Sequence, residues 1–273
     1  MKRLIIVSDW AGDSLTAVEF KSSVEGNLKD PSVINLGFVS STPSTIHTGF
    51  LLQQTVVTEE RYGRPHELVI FQNTDPRLER VSHADEARGA EFLIIKLTSG
   101  IVVCGPNAGY DFALLKSRVN QAFVYRDLDR GSQFRSRDNY ARVCAHLMDN
   151  LDIEMDLEEV SADVIPDLKG GFIGHIDNYG NIKTTIMRDE LKGKYEYGDE
   201  VRVKINGVSK TAKYVDNLFG GTLGELVIYP GSSGSPDDPY LEISVWRHFT
   251  EDSPTTGLHV FGNPRPGMDI TIV

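Results

Sequence analysis

The chain has 273 residues, 40% hydrophobic and 25% charged, with a formal net charge of -11. That length suggests two domains with ordinary globular cores. The acidic balance opposes binding to a phosphate backbone, where Lys and Arg must displace counterions, so no nucleic-acid partner is expected. No run of about 18 apolar residues is present, so neither a membrane span nor a membrane partner is expected. Met1-Lys2-Arg3 followed at once by a strand is too short for a signal peptide. The two cysteines, Cys104 and Cys144, lie in apolar contexts and read as buried free thiols of a reducing, cytoplasmic compartment.

Leu4-Ile5-Ile6-Val7 is a short uninterrupted apolar run, the pattern of a strand buried on both faces. It stops at Ser8-Asp9-Trp10. Asp9 therefore sits at the carboxyl end of a strand, where open α/β sheets bind ligands. A carboxylate there can accept both vicinal hydroxyls of a ribose, or it can cap the helix predicted from Ser14 to Leu28.

Val33 to Phe38 is the second strand, and Thr45 can cap a helix running past Phe50 and Val57. Leu68 to Phe71 is a third strand, ending in Gln72-Asn73-Thr74-Asp75-Pro76-Arg77. Phe92 to Leu97 and Ile101 to Cys104 form a hairpin turning at Ser99-Gly100. The loop Gly105-Pro106-Asn107-Ala108-Gly109, a short helix to Val119, a strand to Tyr125 and a helix over Asn139 to Leu151 follow. This alternation predicts an α/β domain with a mostly parallel sheet over residues 1–165. Ile153 to Asp167 is acidic and reads as a linker. From Phe172 the apolar runs are short and broken by Gly, which predicts a smaller antiparallel β-barrel-like domain over 166–273.

Several chemistries are set aside. The seven His residues show no metal-ligand spacing, so no metal is expected. No Gly-rich phosphate loop is present, and Gly231-Ser232-Ser233-Gly234 is not a nucleophile elbow. Asp9, Asp75, Asn107 and Ser136-Arg137-Asp138 each follow or neighbour a strand end of the first domain. Singly they read as caps and turns; together they line one sheet edge. Asp177-Asn178-Tyr179-Gly180-Asn181 reads as a hairpin turn, or as an acceptor, an aromatic face and an amide able to grip an amino acid.

These motifs, in this order, resemble the S-adenosyl-L-methionine hydroxide adenosyltransferase family, related to the fluorinase and chlorinase enzymes. Ser8-Asp9-Trp10 with Lys21 is similar to the family's opening segment, and Thr74-Asp75-Pro76 to its Val-Asp-Pro. Gly105 to Gly109 resembles Gly-Pro-Asp-Asn-Gly, and Phe134-Arg135-Ser136-Arg137-Asp138 resembles Phe-His-Gly-Arg-Asp. Asp177 to Asn181 resembles Asp-x-Phe-Gly-Asn, and Gly231 to Gly234 with Leu241-Glu242-Ile243 resembles the C-terminal segment.

The resemblance implies hydrolysis of S-adenosyl-L-methionine to adenosine and L-methionine by water or hydroxide at C5′, with no cofactor. It implies a homotrimer whose substrate lies between one subunit's first domain and a neighbour's second. It implies that Asp9 grips the ribose, helped by Trp10 and Asn107, while Asp177, Tyr179, Asn181 and Ser232 or Ser233 hold the methionine part. Asp75, an arginine (Arg77 or Arg80), Arg135 and Ser136 would surround the nucleophile. The sequence departs from the family at Arg135, where the hydrolases carry His, and at Ala108, where the family carries Asn. Ser136 matches the fluorinase, and Asp75 matches the hydrolases. A guanidinium cannot act as a base at neutral pH. Two alternatives therefore stand beside hydrolysis: a non-catalytic binder of an adenosyl ligand, and a halogenase.

Overall fold

The structure, a computed structural model, describes residues 2–76, 90–128, 131–247 and 255–273. Contacts divide the chain into two units, Met1–Leu168 and Lys169–Val273.

The first unit opens with β1 (Lys2–Ser8), α1 (Ser14–Asn27), β2 (Ile34–Ser40), α2 (Thr45–Tyr62) and β3 (Leu68–Asn73). It continues with β4 (Phe92–Leu97), β5 (Val102–Pro106), β6 (Val119–Tyr125), α3 (Ala141–Met148) and β7 (Leu157–Val160). The strands form one sheet in the order β2-β1-β3-β5-β4-β6-β7. β2, β1, β3 and β5 are parallel neighbours. β4 runs antiparallel between β5 and β6, and β7 antiparallel on β6. Thus β2, β1, β3, β5 and β6 point one way, and the sheet is mostly parallel, as predicted.

Strand alternation sorts the apolar residues onto two faces. Leu4, Ile6, Val69 and Phe71 pack with Phe20 and Val24 of α1 and Cys144 and Leu147 of α3. Val7, Leu68, Ile70 and Val103 pack on the other face with Leu52 and Val56 of α2 and with Phe112 and Leu115. Covering both faces is what permits uninterrupted apolar runs such as Leu4–Val7. Cys104 and Cys144 are buried free thiols, and burial pushes the Cys144 thiol up.

Three local expectations are corrected. The acidic segment 153–167 is not a plain linker: β7 within it pairs residue by residue with β6, from Ala122↔Val160 to Tyr125↔Leu157. Edge strands tolerate charge because one side faces water, so Glu158 and Glu159 disguise it. α2 is capped by Ser44, whose hydroxyl accepts from His47 N–H, and not by Thr45. The short helix before β6 is a 3₁₀ helix, Ala113–Arg118.

The second unit is a closed barrel. Its strands are β8 (Gly171–Ile176), β9 (Ile182–Met187), β10 (Glu200–Ile205), β11 (Val208–Tyr214), β12 (Leu226–Gly234), β13 (Pro239–Val245) and β14 (Asp269–Ile272). A one-turn helix, α4 (Gly257–Val260), precedes β14. The order round the barrel is β10-β11-β12-β13-β9-β8-β14, closed by β14 on β10. All pairs are antiparallel except β11 with β12. Ile173, Ile182, Val203, Ile228, Leu241 and Ile243 fill the interior.

At one edge of the first sheet, buried hydroxyls stitch strand ends together. Thr48 Oγ1 of α2 donates to Ser41 Oγ at 3.0 Å and lies 2.7 Å from Thr74 Oγ1, while Ser41 and Thr74 are 3.2 Å apart. Replacing Thr48 by Val keeps the shape and leaves two buried hydroxyls with fewer partners. We expect Thr48→Val to lose about 1–3 kcal/mol of stability, read by denaturant unfolding; an unchanged midpoint would show that the hydroxyl triad does not hold this edge.

Candidate functional site

The register fixes which residues meet at that edge. Ser8 lies opposite Ser40 of β2 and opposite Asn73 of β3. Ser8 Oγ donates to the Asn73 carbonyl at 2.7 Å, and Ser41 N–H donates to the Ser8 carbonyl at 2.9 Å. The chain leaves these strands at Asp9 and at Thr74-Asp75, so the two carboxylates emerge from adjacent parallel strand ends.

Asp9 does not cap α1. That task falls to Asp13, whose carboxylate accepts from Leu15 N–H at 3.3 Å and from the Thr16 hydroxyl at 2.5 Å. These bonds hold the exposed Asp13 carboxyl below its ordinary value. Asp9 Oδ1 lies 3.4 Å from the Ser8 hydroxyl, and the N–H groups of Asp9 and Trp10 also favour its charged form. Its carboxyl is reached by water, yet the protein crowding it raises its pKa, and the charge of Asp75 adds to the rise. This electrostatic coupling places the two acids in one neighbourhood.

Asp75 Oδ2 accepts from Arg135 Nη2 at 3.2 Å, with both side chains largely covered. Arg135 immediately precedes a π-helical turn, Ser136–Tyr140, that leads into α3. Such turns recur at functional sites because they displace side chains from the regular helical positions. Here the turn delivers Arg135 to Asp75 and buries Ser136, whose hydroxyl accepts from Asn73 Nδ2. Thus β3 and the start of the α3 segment are joined twice, by an ion pair and by a neutral hydrogen bond. Arg77 and Arg80 lie outside the described residues.

Trp10 is wedged among aromatic rings, 5.2 Å from Phe20 and 6.0 Å from Phe134 between centroids. Its indole Nε1 is buried and without a hydrogen-bond partner among the described residues. Asn107 directs its amide Nδ2 to the Val164 carbonyl at 2.9 Å, so this donor ties its loop to the segment that follows β7. Lys21 pairs with Glu25 one turn along α1 at 3.7 Å on the surface. Arg137 and Asp138 pair with each other at 2.6 Å, also outside the Asp75 cluster.

The sequence reading missed Asp111. It lies five residues beyond β5, the strand next to β3, with a relative exposure of 0%. Neither carboxylate oxygen has a hydrogen-bond partner of good geometry among the described residues. The N–H groups of Ala108 and of Asp111 itself lower its pKa, but burial outweighs them. The charges of Asp75 and then Asp9 add to the burial, so the carboxyl is held well above its ordinary value. In sequence it is one Asp between Tyr110 and Phe112, indistinguishable from a turn residue.

In the barrel, the Asp177 loop holds itself. Asp177 Oδ1 accepts from the N–H groups of Tyr179 at 2.9 Å and Asn181 at 3.0 Å, and its Oδ2 accepts from Asn181 Nδ2 at 3.0 Å. Asn181 Oδ1 accepts from the Ser244 hydroxyl at 2.5 Å. Tyr179 stands exposed at the tip. A second group centres on buried Glu242, whose Oε1 takes Lys183 Nζ at 2.6 Å, Ser232 N–H at 2.8 Å and the Ser232 hydroxyl at 3.0 Å. Tyr229 reaches its Oε2 at 3.3 Å, and burial together with that carboxylate pushes the phenol well up. A Cβ on Gly231 would sit 2.2 Å from Glu242 Cγ, so the glycine is what lets strand β12 close over this group. Burial and the nearby Lys183 lower the His175 pKa. Ser233 is buried beside Ser232.

Comparison with known proteins bears on the fold and on the kind of barrel. Residues 171–247, nearly all within the barrel, match the SAM hydroxide adenosyltransferase C-terminal domain family. Over 135 residues the chain is 31% identical to an (R)-S-adenosyl-L-methionine hydrolase of Methanocaldococcus jannaschii, covering 46% of this chain and 50% of that one. The match thus spans about half the length of the curated relative. Two crystal structures share the fold. An uncharacterized conserved protein of Thermotoga maritima has a TM-score of 0.73 at 19% identity, covering 99% of this chain and all of that one. A conserved hypothetical protein of Thermus thermophilus has a TM-score of 0.67 at 18% identity over the full length of both. The protein is thus built as an α/β unit followed by a barrel of the SAM hydroxide adenosyltransferase type. Its barrel carries the match to the C-terminal domain of that family.

The buried Asp111 makes stability depend on pH in a definite sense. Unfolded, this carboxyl loses its proton near its ordinary value; folded, it holds the proton to higher pH. The native state therefore binds more protons in that window, and its stability falls as pH rises through it. Asp111→Asn removes the penalty. We expect its melting temperature relative to wild type to rise as pH goes from about 4 to 8, by scanning calorimetry; a constant difference would contradict an uncompensated buried carboxyl.

Proposed function

We propose that the protein hydrolyses S-adenosyl-L-methionine to adenosine and L-methionine by attack of water at C5′. The observation that carries this reading is Asp75, held at 3.2 Å by Arg135 on the strand next to the one ending in Asp9. The name of the Methanocaldococcus jannaschii relative supports the same reaction.

The sulfonium is already an activated leaving group, so the chemistry asks mainly for position. Asp9 accepts the two ribose hydroxyls and fixes the direction of C5′. Asp75 accepts a hydrogen bond from the water and aims its lone pair along the C5′–S bond. As the O–C5′ bond forms, the C5′–S bond breaks and its electron pair returns to sulfur as the neutral thioether of methionine. The proton passes to Asp75 and then to solvent, so one proton is released per turnover. Arg135 offsets the negative charge of Asp75 and holds the carboxylate in one orientation, a task that needs no basic nitrogen. This lets an arginine stand where the family's hydrolases carry His. Asp177, Asn181, Ser232 and Ser233 are the proposed holders of the amino-acid end, the first two on a loop that its own hydrogen bonds hold and the last two on β12. The working assembly is proposed to be a homotrimer.

Incubation of the purified chain with S-adenosyl-L-methionine is expected to yield adenosine and methionine in equal amounts, measured by chromatography. Asp75→Asn should lower the rate by about 100-fold or more, as loss of a proton acceptor does. Folded protein that binds the compound without releasing adenosine would make it a binder instead, and halide-dependent 5′-halo-adenosine would make it a halogenase. Sedimentation velocity is expected to give the mass of three chains; a single-chain mass at working concentration would overturn the trimer.

A further inference from the structure

The Asp9, Asp75 and Asp111 carboxylates stand beyond the carboxyl ends of β1, β3 and β5, three adjacent parallel strands of one sheet. The reaction above uses the first two. Asp111 has no part in it, yet it is the most deeply buried of the three.

Its surroundings offer no structural reason for a carboxylate. Among the described residues neither oxygen has a hydrogen-bond partner of good geometry, against the strong tendency of buried polar atoms to be satisfied. The loop carrying it presses on the first turns of α2. A Cβ on Gly49 would lie 2.7 Å from the Tyr110 carbonyl oxygen and 3.1 Å from that of Asp111, and one on Gly109 would lie 2.8 Å from Thr45 Oγ1. Gly49 and Thr45 bring no charge. His47, in the same turns, accepts the Thr42 N–H on its Nδ1 at 3.0 Å. From the following 3₁₀ helix, Lys116 pairs with Asp167 at 2.7 Å and Arg118 with Glu60 at 2.5 Å. Among the described residues, the ionisable groups that act on Asp111 are Asp75 and Asp9, both of its own sign. Among the described residues, no three acidic, His or Cys side chains converge closely enough to hold a metal ion.

We infer that Asp111 is a specificity-determining residue, the group that makes this edge select a cationic adenosyl ligand over the corresponding neutral thioether. The inference rests on the reading that the ligand is an adenosyl sulfonium. With the site open, burial and two like charges favour the protonated form of Asp111. A cation seated beside Asp75 reverses the sign of the local field, and Asp111 gives the proton to solvent and becomes the counter-charge. A neutral thioether of the same shape gains nothing from it. After hydrolysis the products lack the sulfonium charge, so the same residue favours their release.

Calorimetric titration of the full chain tests this. S-adenosyl-L-homocysteine serves as the neutral ligand, and an analogue with a protonated amine in place of the sulfonium as the unreactive cation. Each is titrated in two buffers of different ionisation enthalpy, which counts protons released on binding. Wild type is expected to bind the cation at least about tenfold more tightly than the thioether, because a nearby positive charge favours an ionised carboxylate. Binding of the cation alone should release a proton. Asp111→Asn should lose both the preference and the proton release while still binding the thioether, and Asp111→Glu should retain them in part. Retention of preference and release in Asp111→Asn would overturn the inference, even if adenosine is still produced. Loss of both in a protein that makes no adenosine would uphold the inference and remove only the hydrolytic reading.

Discussion

Everything at the candidate site depends on parallel strands that end together. β1, β2 and β3 stop in register at Ser8, Ser40 and Asn73, and short hydrogen bonds between Ser8, Ser41, Thr48, Asn73 and Thr74 hold those ends in place. Parallel pairing brings carboxyl ends to one edge, and hydroxyls there satisfy the backbone groups that the sheet leaves unpaired. Only because this edge is fixed can carboxylates of the same sign be kept side by side. Among the described residues the cation paired with them is Arg135, and it belongs to Asp75.

The barrel meets the same problem differently. Glu242 is as deeply buried as the acids of the first unit are crowded, but it is saturated by Lys183, Ser232 and Tyr229. Breaking such a satisfied group would leave a charge uncompensated, so it acts as structure. The contrast separates the two kinds of buried acid: among the described residues Glu242 has its partners, and neither Asp111 oxygen has one of good geometry.

Much of this is legible in the residues. The apolar run Leu4–Val7 makes a central strand because both faces are covered, and the hairpin at Ser99-Gly100 follows from its turn residues. What misleads is charge on strands. β7 carries Glu158 and Glu159 at an edge, where water solvates them, and so resembles a linker. At the site, Asp9 and Asp75 are recognisable because each follows an apolar run. Whether Asp9 or Asp13 caps α1 turns on side-chain geometry that spacing does not specify. Asp111 is invisible for a plainer reason: nothing in a sequence distinguishes a loop aspartate that is wet from one that is dry.

The most direct test of the central claim is a crystal structure of the chain with a bound adenosyl ligand. The account predicts the ribose diol within hydrogen-bond distance of the Asp9 carboxylate and C5′ facing Asp75 across the space of one water molecule, with Arg135 still on Asp75. A ribose bound away from Asp9, or a C5′ turned from Asp75, would contradict it.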